Sequence, residues 1–180
     1  MFRNGQVRIQ PGGGYVDLGA NVVPGGGEAE FTIEIWATKY SIQNWARVFQ
    51  IPNNWGRNDF YWSWNHGTTK NKWQWKVSGY GVWNRWMGDG TGENEECHFV
   101  IVYGHDAEKF PYFGVYLLRK GGIYWERSER LGGKMFDTHS AFWLGHGDGD
   151  RADASYNEVR IWNRVLTKDE ILYKPSPVGE

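Results

Sequence analysis

Cysteine is almost missing from this chain. Cys97 is the only one in 180 residues, which excludes an internal disulfide and a multi-cysteine zinc site. No apolar run approaches the roughly 20 residues of a membrane span. The strongest, Phe99 to Tyr103, is far shorter, so no membrane insertion is expected. Charge of one sign is lacking too. The net charge is −1, without the basic excess that displaces phosphate counterions, so nucleic acid is not an expected partner. Residues Met1 to Gly5 carry neither an apolar h-region nor a small-residue cleavage site and do not read as a signal peptide. Long stretches rich in Ala, Leu, Glu and Lys are absent, which argues against a helical protein.

Aromatics and glycine are abundant instead. There are 12 Trp, 10 Tyr and 25 Gly, the last about twice average usage. Aromatic and β-branched residues favour strands, and glycine punctuates turns. Hydrophobic residues make up 40% of the chain, enough for a real core in one domain of this length.

The pattern along the chain agrees. Phe31-Thr32-Ile33-Glu34-Ile35-Trp36 alternates at period two, with Phe31, Ile33 and Ile35 on one face and Thr32 and Glu34 on the other. Ala46 to Ile51 reads as another strand. Phe60, Trp62 and Trp64 share a face, and Trp73, Trp75 and Val77 share one on the following strand of a hairpin. Cys97 to Tyr103 reads as a fully buried strand. Tyr112 to Arg119 and Ile123 to Arg127 flank Lys120-Gly121-Gly122, a second hairpin. Ala141 to Leu144 and Ser155 to Trp162 are the last strands. Thr167-Lys168-Asp169-Glu170 fits a capping box, so one short helix is expected near the C-terminus. About twelve short strands are too many for one open sheet. The expected fold is all-β: a two-sheet antiparallel jelly-roll sandwich with one short C-terminal helix, forming a single domain over 1–180 with a core of about 6–172.

The residues also carry a family likeness. Tyr15-Val16-Asp17-Leu18-Gly19, Phe31 to Ala37 and Trp45 to Phe49 resemble the opening of laminin-G-like, concanavalin A-like lectin/glucanase domains. Trp143-Leu144-Gly145, an acidic loop, and Asn157-Glu158-Val159-Arg160-Ile161-Trp162 through Thr167 resemble that family's closing strand and capped helix. The resemblance implies a module that binds carbohydrate or takes part in adhesion, often with bound calcium. The fold also hosts glycosidases and lyases, so fold alone does not decide activity. In its glycosidases the carboxylates lie on an alternating Glu-x-Asp-x-Glu run, and no such run occurs here. No enzymatic activity is therefore expected.

Two candidate sites follow. Trp55, Trp83 and Trp86 stand next to Gly or Asn or within two residues of one, away from clean alternation, and read as exposed loop residues. With Asn58 and Arg85 they offer the mixture of flat rings and hydrogen-bonding groups that a sugar site needs. Trp36, Trp143 and Trp162 are expected in the core. Asp148, Asp150 and Asp153 cluster in a glycine-bearing loop and form the candidate calcium site, although the same residues also fit a solvated acidic turn with Arg151 as counter-ion. Cys97 and His98 are adjacent on a strand and point to opposite faces, which separates them as a catalytic pair. His66, His105, His139 and His146 read as turn or surface residues. The functional expectation is a lectin-like module, secreted, on a cell surface or virion-borne. Its partner is a glycan or glycoprotein, and other subunits of a larger assembly are the alternative.

Overall fold

The computed structural model describes residues 2–3, 5–25, 29–52, 59–65, 67, 73–77, 82–87, 91–120, 122–131, 138–146 and 150–173. Thirteen strands and one helix occupy them: β1 (Phe2–Arg3), β2 (Gln6–Ile9), β3 (Val16–Asp17), β4 (Phe31–Ser41), β5 (Arg47–Pro52), β6 (Asp59–Ser63), β7 (Trp73–Val77), β8 (Val82–Met87), β9 (Glu96–His105), β10 (Pro111–Arg119), β11 (Gly122–Arg130), β12 (Trp143–Leu144), β13 (Asp153–Trp162) and α1 (Lys168–Leu172). They form a seven-stranded sheet in the order β1-β2-β13-β4-β9-β10-β11 and a six-stranded sheet in the order β3-β12-β5-β6-β7-β8. The expected two-sheet architecture, with a short helix at its end, is what the chain adopts.

Period-two alternation builds the core. Phe31, Ile33, Ile35 and Ala37 of β4 share one buried cluster with Cys97, Phe99, Ile101 and Tyr103 of β9, and with Phe113, Val115 and Leu117 of β10. The six-stranded sheet answers with Phe49, Ile51, Phe60, Trp62, Trp64 and Trp75. Rings meet edge-on across the interior, as in Trp62–Phe99 at 4.9 Å and Phe60–Phe113 at 4.8 Å. Such edge-to-face pairs add to the gain from burial alone. Tyr156 ties the layers together, donating from its hydroxyl on β13 to the Val48 carbonyl on β5 at 2.8 Å. Cys97 is buried in this interior, and desolvation pushes its thiol up to about 12, so it behaves as a small apolar residue.

Three tryptophans expected in the core lie elsewhere. Trp36 is buried, but on the outer face of the seven-stranded sheet, where its ring stacks on His98 at 3.9 Å and Arg160 lies 4.7 Å from its centroid. Trp162 is half-buried on that same face, and Trp143 is half-buried on the outer face of the six-stranded sheet. Alternation explains it: Trp36 has the parity of Thr32 and Glu34, and Trp162 follows the inward Ile161. His139 departs from expectation as well. It is 1% exposed, accepting from the Val23 N–H at 3.1 Å through Nε2 and lying 3.1 Å from the Ala141 carbonyl through Nδ1.

A second, smaller apolar cluster covers part of the seven-stranded sheet's outer face. Leu166 and Ile171 pack there on Val100, Val102 and Leu118. Thr32 anchors the incoming chain by donating to the Arg164 carbonyl at 2.9 Å and accepting from the Leu166 N–H at 3.0 Å. Thr167 then caps α1 in a reciprocal box with Glu170, whose carboxyl Arg164 and the Thr167 N–H hold down at about 2.

Candidate glycan-binding face

The outer face of the six-stranded sheet is polar and aromatic, yet much of it is buried. Gln50 lies between the inward Phe49 and Ile51, and Gln74 precedes the inward Trp75, so both side chains belong to the outer face. Sheet residues on an outer face normally reach water. Here Gln50 is 3% and Gln74 1% exposed, and their amide Oε1 atoms have no hydrogen-bond partner among the described residues. An unmade bond at a buried amide costs about 1–3 kcal/mol. Unsatisfied buried polar groups are rare in folded proteins, and a bound water, ion or ligand is one account of them.

Their neighbours are suited to a ligand. Gln50 stands opposite Tyr61 on β6 and Trp143 on β12, and Gln74 opposite Ser63 on β6 and Trp86 on β8. The Arg47 guanidinium carbon lies 3.7 Å from the Tyr61 ring centroid and 5.8 Å from that of Trp45. Trp45 has φ 56°, a left-handed backbone that bulky residues rarely adopt. Ser63 donates to the Gln74 carbonyl at 3.0 Å. The result is a buried floor of amides, one guanidinium and phenol and hydroxyl groups, with Trp143 at its side.

The residues singled out from sequence divide. Trp83, Arg85 and Trp86 are on β8, the edge strand of this same sheet, and not in a loop. Arg85 is in register with Trp75 and Trp86 with Gln74, which places the sequence-chosen segment beside the polar floor. Trp55 and Asn58 lie outside the described residues, as does Asp148. Asp150 accepts from the Asn44 N–H at 3.2 Å. Asp153 pairs with Arg8 through one oxygen and accepts from Ser41 at 2.5 Å through the other. A carboxylate already facing a guanidinium is a poor calcium ligand, so Asp153 does not fit the expected site. Among the described residues no three acidic, histidine or cysteine side chains gather as a metal set.

Sequence reasoning missed Gln50, Gln74, Arg47 and Tyr61. The parity of Gln50, Tyr61 and Gln74 was readable, because each alternates with large inward residues, whereas Arg47 has the parity of Phe49 and Ile51 and departs from it through the register shift between Arg47 and Phe49. The burial of all four was not readable.

Residues 10–172 match the model of the concanavalin A-like lectin/glucanases superfamily. The chain belongs to that family. No curated protein matches it in sequence. Among solved structures, the CBM40 module of Ruminococcus gnavus IT-sialidase, bound to α2,3-sialyllactose, superposes with a TM-score of 0.64 at 15% identity, covering 92% of this chain and 93% of that one. A heptameric SAP-like pentraxin from Limulus polyphemus gives 0.55 at 13% identity over 92% and 72%. Trypanosoma rangeli sialidase gives 0.52 at 15% identity over 79% of this chain but only 22% of that enzyme. At these identities the likeness to the three structures is one of fold. The resemblance seen in Tyr15 to Gly19 and in Asn157 to Thr167 is borne out. No helix among the described residues is long and apolar enough to cross a membrane.

Proposed function

We propose that the chain is a non-catalytic carbohydrate-binding module whose glycan lies across the outer face of the six-stranded sheet. The observation that carries this reading is the pair of buried, outward amides, Gln50 and Gln74, whose oxygens lack partners among the described residues. Sugar hydroxyls both donate and accept, so they satisfy an amide in either orientation. Trp143 beside Gln50 offers an aromatic face for sugar C–H groups. Trp86, in register with Gln74 on the neighbouring edge strand, stands at the border of the same surface. The absence of a paired-carboxylate run supports binding without turnover. The partner is a free glycan or a glycoprotein, met outside the cell or at its surface.

A glycan array that includes neutral oligosaccharides and α2,3-sialyllactose tests the reading. The wild-type chain is expected to bind a defined subset, and the Gln50→Met/Gln74→Met double variant to lose at least tenfold in affinity. The same variant should melt no lower than wild type, because it removes two unsatisfied buried amides. A wild-type chain that binds nothing on the array, or a double variant that binds unchanged, sinks the proposal. Release of reducing sugar from any bound glycan would assign a hydrolase instead.

A further inference from the structure

The seven-stranded sheet ends on β11, and this edge differs from the other sheet edges. β1 and β3 have two residues each, and β8 has six with a register shift against β7. β11 has nine. It pairs with β10 without a break from Trp125 to Arg130 and holds no proline. Among the described residues no strand pairs with its free side. A long, regular edge presents a row of backbone N–H and C=O groups that accept a further strand. Glu126, Arg127, Ser128 and Arg130 are all exposed on it.

The charges on this strand stand in the order Glu126-Arg127-Ser128-Glu129-Arg130. Edge charges commonly keep a second copy away. Here they do the reverse when the strand meets itself. An antiparallel pairing about a two-fold axis through Ser128 sets Glu126 opposite Arg130 and Arg127 opposite Glu129, on both sides of the axis. The faces agree as well. Glu126 and Arg130 are in register with Tyr116 and Tyr112 of β10, on the outer face, and Arg127 and Glu129 with the inward Val115 and Phe113. Each pair across the axis therefore meets on one face, where opposite charges on neighbouring strands attract. The adjacent two-fold registers fail this test. One centred on Arg127 sets that residue against its own copy, and one centred on Glu129 does the same with a carboxylate. Like charges directly opposite are destabilising, so the charge order selects a single register.

We propose that the protein forms a two-fold dimer through β11, with Ser128 of both copies on the axis, joining the two seven-stranded sheets into one continuous sheet. Neither this proposal nor the glycan reading depends on the other. Within one chain the charges already have partners. Arg127 pairs with Glu129, Glu126 with Lys168 at 2.7 Å, and Arg130 with Asp106 at 2.7 Å and Glu108 at 2.8 Å. Exposed pairs of this kind are weak and adaptable, so a facing charge shares them at little cost. On the inward face, Arg127 and Glu129 of the two copies form a square of alternating signs. An isologous contact of this form closes on itself and leaves no free edge for a third copy. Backbone bonds and charge order carry it and apolar area contributes little, so the dimer is of moderate affinity, with Kd below about 100 μM.

Sedimentation velocity from about 5 to about 500 μM protein tests the dimer. The wild-type chain is expected to pass from monomer to dimer over that range. Glu126→Arg alone sets cations opposite each other and should stay monomeric, and Arg130→Glu alone sets carboxylates opposite each other and should stay monomeric too. An equimolar mixture of the two restores opposite charges at both contacts and should form a heterodimer. Oxidative cross-linking reads the register without altering any charge. Ser128→Cys should link to its own copy, because the two thiols meet on the axis. Tyr124→Cys should not, because its thiols lie eight residues apart along the paired strands, about 27 Å. The native Cys97 is buried and does not compete. Ser128 is exposed, so its variant keeps the test decisive if a charge variant fails to fold. A wild-type chain that is monomeric at the highest concentration overturns the proposal. So does a dimer that persists in either folded charge variant alone, a mixture of folded variants that stays monomeric, or cross-linking of Tyr124→Cys that equals or exceeds that of Ser128→Cys.

Discussion

Glu34 Oε1 lies 3.2 Å from His98 Nε2 on the outer face of the seven-stranded sheet, and the carboxylate is fully buried. Its other oxygen accepts from Trp162 Nε1 at 2.6 Å. The Trp36 ring shields the imidazole, and Arg160 and Glu158, paired with each other, complete the group. A buried carboxylate that loses His98 keeps only the Trp162 bond to offset its desolvation. His98→Ala should therefore cost about 3 kcal/mol of unfolding free energy in urea titration. Glu34→Gln, which keeps an acceptor for Trp162 and removes the charge, should cost about 1 kcal/mol. Equal costs for the two would show that packing, not charge, holds this cluster.

His139 gives stability a pH dependence of known sign. Burial lowers its pKa below the ordinary histidine value, and the Val23 N–H pointing at Nε2 favours the neutral ring. The unfolded chain therefore takes up a proton near pH 6.5 while the folded one does not. The stabilisation is complete above that pH and is lost as pH falls towards the folded value. The melting temperature of wild type should drop between pH 7.5 and 5. His139→Gln should be less stable at pH 7.5 but show a shallower drop, as scanning calorimetry would read.

Much of this architecture was legible because period two is a strong signal when one face is buried. The shared face of Phe60, Trp62 and Trp64 was readable, and Thr167 to Glu170 as a cap, from local spacing alone. The placement of Trp36 followed from the same rule, since it alternates with Ile33 and Ile35, but its size argued for the core and hid its parity. Gln50 and Gln74 could be assigned a face from sequence, whereas their burial depends on chain segments far away. The Tyr15–His146 contact joins residues 131 positions apart by way of the Asp17–Trp143 pairing. No local pattern encodes that register.

The cap on α1 is a measurable device because the helix has only five residues. So short a helix has little stability of its own, and it persists through Thr167, Glu170 and the packing of Ile171. Thr167→Ala should cost about 1 kcal/mol. Loss should show first as faster amide exchange at Ile171 and Tyr173, with the strand amides of β4 and β9 unchanged. If exchange speeds up throughout the sheet, the helix is integral to global stability and not a locally docked plug.

The tryptophans should separate into two energetic classes. Trp62 is fully buried between the sheets against Phe99, so Trp62→Ala should cost about 4 kcal/mol. Trp143 is half-buried on the outer face, touching Tyr15 and His146. Trp143→Ala forfeits mainly those ring contacts, about 1 kcal/mol, while removing the platform beside Gln50. Chemical denaturation and glycan titration on the same two variants set the classes apart. Trp62→Ala should move the denaturation midpoint strongly, with binding by the remaining folded fraction intact. Trp143→Ala should move binding strongly and the midpoint little. The reverse assignment would mean that the sheet's outer face is structural and that the glycan surface lies elsewhere on the molecule.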